Sequence, residues 1–110
     1  MDLKEKNSDK ENLYKAILSL NTIEECDKFF DDICTVKEIL DISLRLKVAK
    51  LLREKVSYTD IEKITGASSA TISRIGRCVN YGSGGYGIVL NRLEDYLWIV
   101  IMILHLCMTD

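Results

Sequence analysis

No proline interrupts the 110 residues, and five of the six glycines fall together between positions 76 and 87. Proline and glycine are the strongest breakers of regular structure, so long stretches of this chain are free to run as helix. An all-β sandwich, which needs turn signals at regular spacing, is excluded. The length suits a single domain over residues 1–110. With 47% hydrophobic residues, the chain is also too apolar for a disordered tail.

Four cysteines (Cys26, Cys34, Cys78 and Cys107) show no paired C-x-x-C spacing, and no signal-peptide pattern opens the sequence. They are expected to be reduced thiols of a cytoplasmic protein, acting mostly as small core hydrophobes. A disulfide scaffold is therefore excluded.

Helix starts are marked by hydroxyl side chains followed three residues later by a carboxylate. Ser8–Glu11, Thr22–Glu25 and Thr35–Glu38 have this capping-box pattern, and Ser57–Asp60 is a version with aspartate. Apolar stripes follow each of the first three: Leu13, Ile17 and Leu20; then Ile23, Cys26, Phe29 or Phe30, and Ile33; then Val36, Ile39 and Leu40. Helices are predicted near 9–20, 23–34, 36–41 and 43–55, the last two as separate helices or one kinked helix. Leu44, Val48, Leu51 and Leu52 form the buried face of the fourth.

Net charge is −2, but it is segregated. Residues 1–40 carry 6 basic and 10 acidic groups, residues 41–80 carry 8 and 4, and residues 81–110 carry 1 and 3. Screening limits exposed charges to about 8–10 Å, so a basic middle block can face phosphate within an acidic protein.

That block contains two short helices joined by a glycine turn. From Ser57, Ile61 and Ile64 are expected to point inward along a helix closed by Gly66 in the left-handed conformation. Ser68 caps a second helix, Ser69 to about Cys78, whose Ile72 and Ile75 face the core. Ser69, Ala70, Ser73, Arg74 and Arg77 lie opposite. A helix enters the major groove when its outward residues are small near the bases and basic near the phosphates, and this row meets both demands. Residues 57–78 thus read as a helix-turn-helix, with two ordinary amphipathic helices as the plain alternative.

The run Thr65-Gly66-Ala67-Ser68-Ser69-Ala70-Thr71-Ile72-Ser73-Arg74, followed by Asn80-Tyr81-Gly82-Ser83-Gly84-Gly85-Tyr86, resembles the Trp repressor family, more narrowly its YerC/YecD-type bacterial branch. The resemblance spans about residues 10–95. It implies an all-α, multi-helix domain that forms an intertwined homodimer and binds double-stranded DNA as a transcriptional regulator, with repression expected. The DNA-facing set implied on the second helix is Ser68, Ser69, Ala70, Thr71, Ser73, Arg74 and Arg77. Family basic positions on the first helix of the motif fall on Thr59 and Glu62. The corepressor-clamping positions of the Trp repressor fall on Arg74, on Leu44 beside Arg45, and on Cys78. This leaves room for a small-molecule corepressor at Arg45, Arg74 and Cys78. Leucine cannot pair with a carboxylate, so L-tryptophan is not expected as the ligand.

The basic run Arg45, Lys47, Lys50, Arg53 and Lys55 is either a solvated helix face or a phosphate-contacting one, with Lys50, Arg53 and Lys55 the candidates. The glycine cluster at 82–87 lacks the Gly-Lys-Ser/Thr of a phosphate loop and is expected to be a turn into a last helix from about Ile88. It could alternatively border a ligand pocket with Arg74 and Arg77. His105 is the only histidine, and Cys26 and Cys34 stand two helical turns apart. No metal site, cofactor or enzyme chemistry is predicted.

Residues 96–110 form an apolar extension. Its 13-residue run is shorter than the roughly 20 residues of a membrane span and has no basic face opposite, so a membrane partner is not expected. It is expected to be a dimer-core or terminal helix. The competing reading is that the motif serves as a protein-interaction or assembly module, with this tail engaging a partner or membrane.

Overall fold

The structure is a computed structural model describing residues 3–108, with side chains described for 4–94 and 103–105. It is all-helical among the described residues: α1 Leu3–Leu18, α2 Ile23–Ile33, α3 Val36–Arg53, α4 Tyr58–Thr65, α5 Ser69–Tyr81 and α6 Gly85–Met108. The chain divides into two compact units, residues 1–40 and 41–110.

In the first unit the hydroxyl caps operate as local chemistry dictates. Thr22 accepts a hydrogen bond from the Glu25 N–H (3.1 Å), and the Glu25 carboxylate accepts from the Asn21 N–H (2.9 Å). Thr35 and Glu38 form the fully reciprocal box: the Glu38 N–H donates to the Thr35 hydroxyl (3.1 Å) and the Thr35 N–H to the Glu38 carboxylate (2.9 Å). The bond from the Thr35 backbone N–H, aided by its hydroxyl, holds the Glu38 carboxyl below its usual range. A depressed carboxyl stabilises the fold above its unfolded pKa, so this contribution is complete at neutral pH and fades as pH falls through the lowered value. NMR titration of Glu38 should therefore give a midpoint below that of an unfolded peptide.

Ser8–Glu11 does not open a helix, because α1 already begins at Leu3; Glu11 instead pairs with Lys15 one turn on, at 3.7 Å. The two expected helices after Thr35 are one unbroken α3. With no proline or glycine between 36 and 53, nothing ends it. No side chain described between residues 4 and 40 is buried. Phe29 and Phe30 meet edge to face (5.5 Å, 83°), yet Leu18, Ile23, Val36 and Leu40 are exposed.

The second unit holds the core. Val48 and Ala49 of α3, Ile61 of α4, Ala67 of the turn, Ile72 and Ile75 of α5 and Leu90 of α6 are buried together. Leu44, Leu51, Leu52, Val56, Val79 and Tyr86 pack around them. Ile64 does not share the inward face of Ile61. It is half exposed, about 60° round the helix from the buried line of Ile61.

α3 closes with a left-handed residue, Lys55 (φ 66°); the Val56 N–H donates to Leu51 O and the Lys55 N–H to Leu52 O, both at 3.1 Å. Gly66 closes α4 with φ 74°. The last helix begins at Gly85 rather than near Ile88, so the turn is shorter than the glycine cluster and ends at Gly84. Gly82 caps α5 where a Cβ would drive into the Cys78 carbonyl oxygen.

Two substitutions separate these glycine roles. Around Gly66 there is open space, so Gly66→Ala should cost only the left-handed backbone penalty, about 1 kcal/mol. Gly82→Ala must shift the end of α5 and should cost about 2 kcal/mol or more. Urea unfolding of both variants tests the ranking, and a smaller loss at Gly82 would contradict the close approach.

Candidate nucleic-acid interface

α5 has two faces set by its sequence. Ile72, Ile75 and Gly76 are buried, and Val79 is half-buried. Ser69, Ala70, Ser73, Arg74 and Arg77 are exposed, while Thr71 lies half-buried at the edge. The expected outward row is therefore assembled on one helix, with no described side chain covering it.

What fixes α5 is the turn before it. The Thr65 hydroxyl donates to Ile61 O (2.7 Å) and accepts from the Ala67 N–H (3.2 Å). The Gly66 N–H donates to Glu62 O (2.9 Å), and buried Ala67 drops the chain onto the core. Ser68 then caps α5, accepting from the Thr71 N–H (3.2 Å) while its hydroxyl donates to the Thr71 hydroxyl (3.0 Å). Ser68 and Thr71 thus spend their polar atoms on the cap.

The basic residues of α3 separate by environment. Lys50 and Lys55 are exposed. Arg53 is half-buried, and its guanidinium donates to the Asn91 side-chain oxygen and pairs with Glu94 at 3.8 Å. Both partners lie on α6, so Arg53 ties α3 to the last helix. No local signal marks this strut, since its partners lie 38 and 41 positions further along.

Arg45, Arg74 and Cys78 meet in one cleft of about 480 Å³, walled by Asp41, Leu44, Thr71, Ile75 and Tyr86. A neighbouring cleft of about 560 Å³ shares Arg45, Cys78 and Tyr86 and reaches the glycine turn at Gly82, Ser83 and Gly85. Two guanidinium groups and one carboxylate over an apolar floor can receive an anionic group and a cationic one together. Asp41 and Tyr86 were not identified from sequence; Asp41 lies one helical turn before Arg45, which is the signal that could have found it. Arg77 does not line either cleft. Among the described residues no cluster of histidine, cysteine, aspartate and glutamate could hold a metal ion.

The sequence model of the family described as Trp repressor protein matches residues 8–94. The uncharacterized protein YerC of Bacillus subtilis (strain 168) is 51% identical over 85 residues, 77% of this chain and 82% of that protein. A crystal structure of a TrpR-like protein from Eubacterium eligens is 50% identical and superimposes with a TM-score of 0.79, covering 84% of this chain and 96% of that one. A structure described as a candidate Trp repressor from Staphylococcus aureus is 43% identical with a TM-score of 0.77, covering 86% and 96%.

If Arg53 serves as a strut, Arg53→Met should lower stability by about 1 kcal/mol, a value held down by solvent screening of the ion pair. The salt dependence of DNA binding should hardly change. A salt slope reduced by about one, at unaltered stability, would instead make Arg53 a phosphate contact.

Proposed function

The chain belongs to the Trp repressor family, and on that footing we propose that it is a sequence-specific, homodimeric regulator of transcription, acting as a repressor, that reads double-stranded DNA with α5. The observation that carries this reading is the exposed row Ser69, Ala70, Ser73, Arg74 and Arg77 on a helix whose other face is locked into the core. Small side chains at the leading end of α5 let its backbone approach base edges, and the two arginines further along supply donors for guanine or phosphate. Ser68 and Thr71 hold the leading turn of α5 in place at the DNA. Lys50 and Lys55 add phosphate contacts from the end of α3.

The exposed apolar residues of the first unit support the homodimer. Leu18, Ile23, Val36 and Leu40 are 82%, 88%, 74% and 62% exposed, and no described side chain from 4 to 40 is buried. Apolar helices without a core need a covering surface, and a second copy supplies one. Two α5 helices presented by such a dimer would enter successive major grooves about 34 Å apart on a palindromic site. A regulator that binds DNA in this way would act in the cytoplasm of a bacterial cell.

The cleft at Arg45, Arg74 and Cys78 suits a small effector carrying an anionic group. Leu44 on its wall disfavours L-tryptophan, and no bound cofactor is needed for DNA reading.

Selection from random duplex DNA at moderate salt, with and without a pool of amino acids and related metabolites, tests the proposal. The expected result is an enriched palindrome, and its dependence on one metabolite would identify the effector. Ser73→Glu should remove binding to that palindrome by at least 100-fold while leaving the subunit stoichiometry unchanged, because a carboxylate would face phosphate and base edges. No enriched sequence, or normal binding by the variant, sinks the assignment of α5.

A further inference from the structure

α5 stands between two clefts. The one that holds Arg45 and Arg74 runs along Thr71, Arg74 and Cys78. On the opposite flank, at Gly76, Val79 and Asn80, a separate cleft of about 410 Å³ opens between α5, the end of α3 and the start of α4. The two share no lining residue. Its volume falls within the roughly 300–1,000 Å³ of small-molecule sites.

The polar lining of this second cleft is one-sided. Arg53, Lys55, Tyr58 and Asn80 line it, and no carboxylate does. Glu54, between the two cations in the chain, is not part of the wall. The first cleft, by contrast, includes Asp41. Among the described residues, the Lys55 ammonium, the Tyr58 hydroxyl and the Asn80 side-chain amide have no hydrogen-bond or ion-pair partner. Arg53 is partly committed elsewhere, since its Nη2 group turns to Asn91 and Glu94. It is a fixed wall, and the other three are the free groups.

The backbone brings those groups together at some cost. Lys55 has φ 66°, a left-handed conformation that glycine would adopt with less strain. A lysine held there delivers an ammonium to the cleft, and strain kept at one residue is a pattern of functional positions. At Gly76 a Cβ would stand 3.0 Å from the Tyr58 hydroxyl oxygen, so the bare glycine gives the phenol room beside α5. Leu52, Val56 and Val79 supply an apolar floor against the core.

An ammonium, a phenolic O–H and an amide NH₂ are donors, and they suit a ligand with several acceptor oxygens. A carboxylate offers two oxygens and one charge. A phosphate monoester offers three strong acceptors and a charge of about −1.5 to −2 at neutral pH. The apolar floor then takes the organic body that carries the group.

We propose that this cleft is a second anion site, in which Lys55, Tyr58 and Asn80 seat the phosphoryl group of a small phosphate ester. A backbone phosphate of DNA offers the same chemistry, and the test separates the two sources. On the DNA reading above, Lys55 is also a phosphate contact. An ester held there withdraws that cation, so ester and DNA weaken each other's binding to the same degree.

The test is a residue-resolved ¹H–¹⁵N NMR titration of the full chain without DNA, using phenyl phosphate, inorganic phosphate and phenol. Residue resolution separates this site from the Arg45 cleft, which also attracts anions. The expected result is saturable shifting of amides at residues 53–58 and 76–80 by phenyl phosphate, weaker shifting by inorganic phosphate and none by phenol. Lys55→Met and Tyr58→Phe should each weaken phenyl phosphate at these residues by about tenfold, the loss of one hydrogen bond to a charged group. Gly76→Ala, which adds a helix-favouring residue and displaces only the tip of Tyr58, should weaken it as well. Absence of saturation at these residues, or shifts confined to the Arg45 cleft, overturns the proposal. So does unchanged affinity in both Lys55→Met and Tyr58→Phe. If neither phosphate probe binds, yet Lys55→Met and Asn80→Ala lower DNA affinity and its salt slope, the seat belongs to the DNA backbone and the free-ester site falls. Because the titration contains no DNA, failure of the α5 assignment leaves its result standing.

Discussion

The packing of α5 against the turn at Gly66 is the constraint on which the rest of the second unit depends. Ile61 and Ile72 are fully buried, and Ala67 between them is small enough to let the two short helices converge. Neither helix is long enough to be stable alone in water, since isolated helices below about 12–15 residues are marginal. Their geometry is therefore a property of the shared core. Truncating either isoleucine would cost about 2–5 kcal/mol and loosen the same angle that presents Ser69, Ala70 and Ser73 outward. Stability of the core and presentation of the exposed α5 row come from one set of contacts.

Features governed by neighbouring residues were legible in the sequence. The hydroxyl caps at Thr22, Thr35, Ser57 and Ser68, the glycine stop at 66 and the inward Ile72–Ile75 pair all stand as read. Failures arose where competing local signals met, or where distance in the chain was large. Ser8 has a capping pattern but lies inside α1, because a capping pattern does not stop a helix already under way before it. Gly85 and Gly87 read as turn residues, yet they form the first turn of α6, where backbone N–H groups are unpaired in any case. The Arg53 strut was invisible, because nothing local marks an arginine whose partners sit on the last helix.

The two units divide the work physically. The second buries a compact aliphatic core and carries the exposed α5 row. The first is capped, and it contributes apolar helices without burying any described side chain between 4 and 40. Such a segment is poorly stabilised on its own, because its helices gain little from burial to offset the entropy of ordering them. On the dimeric reading, folding of the first unit is coupled to association. The protein would then acquire its paired reading helices and its complete fold in the same step.

The departures on α4 bear on how such a dimer holds DNA. The first helix of a helix-turn-helix crosses the phosphate backbone, but here Thr59 and Glu62 stand where family cations are expected. A carboxylate on that helix repels phosphate, so on the proposed reading the electrostatic share of binding would rest on Lys63 at the end of α4 and on the neighbouring cations, Lys50 and Lys55 before it and Arg74 and Arg77 after it. Arg74 also lines the cleft with Arg45 and Asp41. An anion in that cleft would compete for the Arg74 guanidinium or fix its direction. On the proposed reading, a change at this one side chain would alter a larger fraction of the phosphate contacts than in a protein that also carried cations at positions 59 and 62. On that reading, threonine at 59 and glutamate at 62 would weaken the backbone grip of α4 and make DNA binding more sensitive to whatever occupies the cleft.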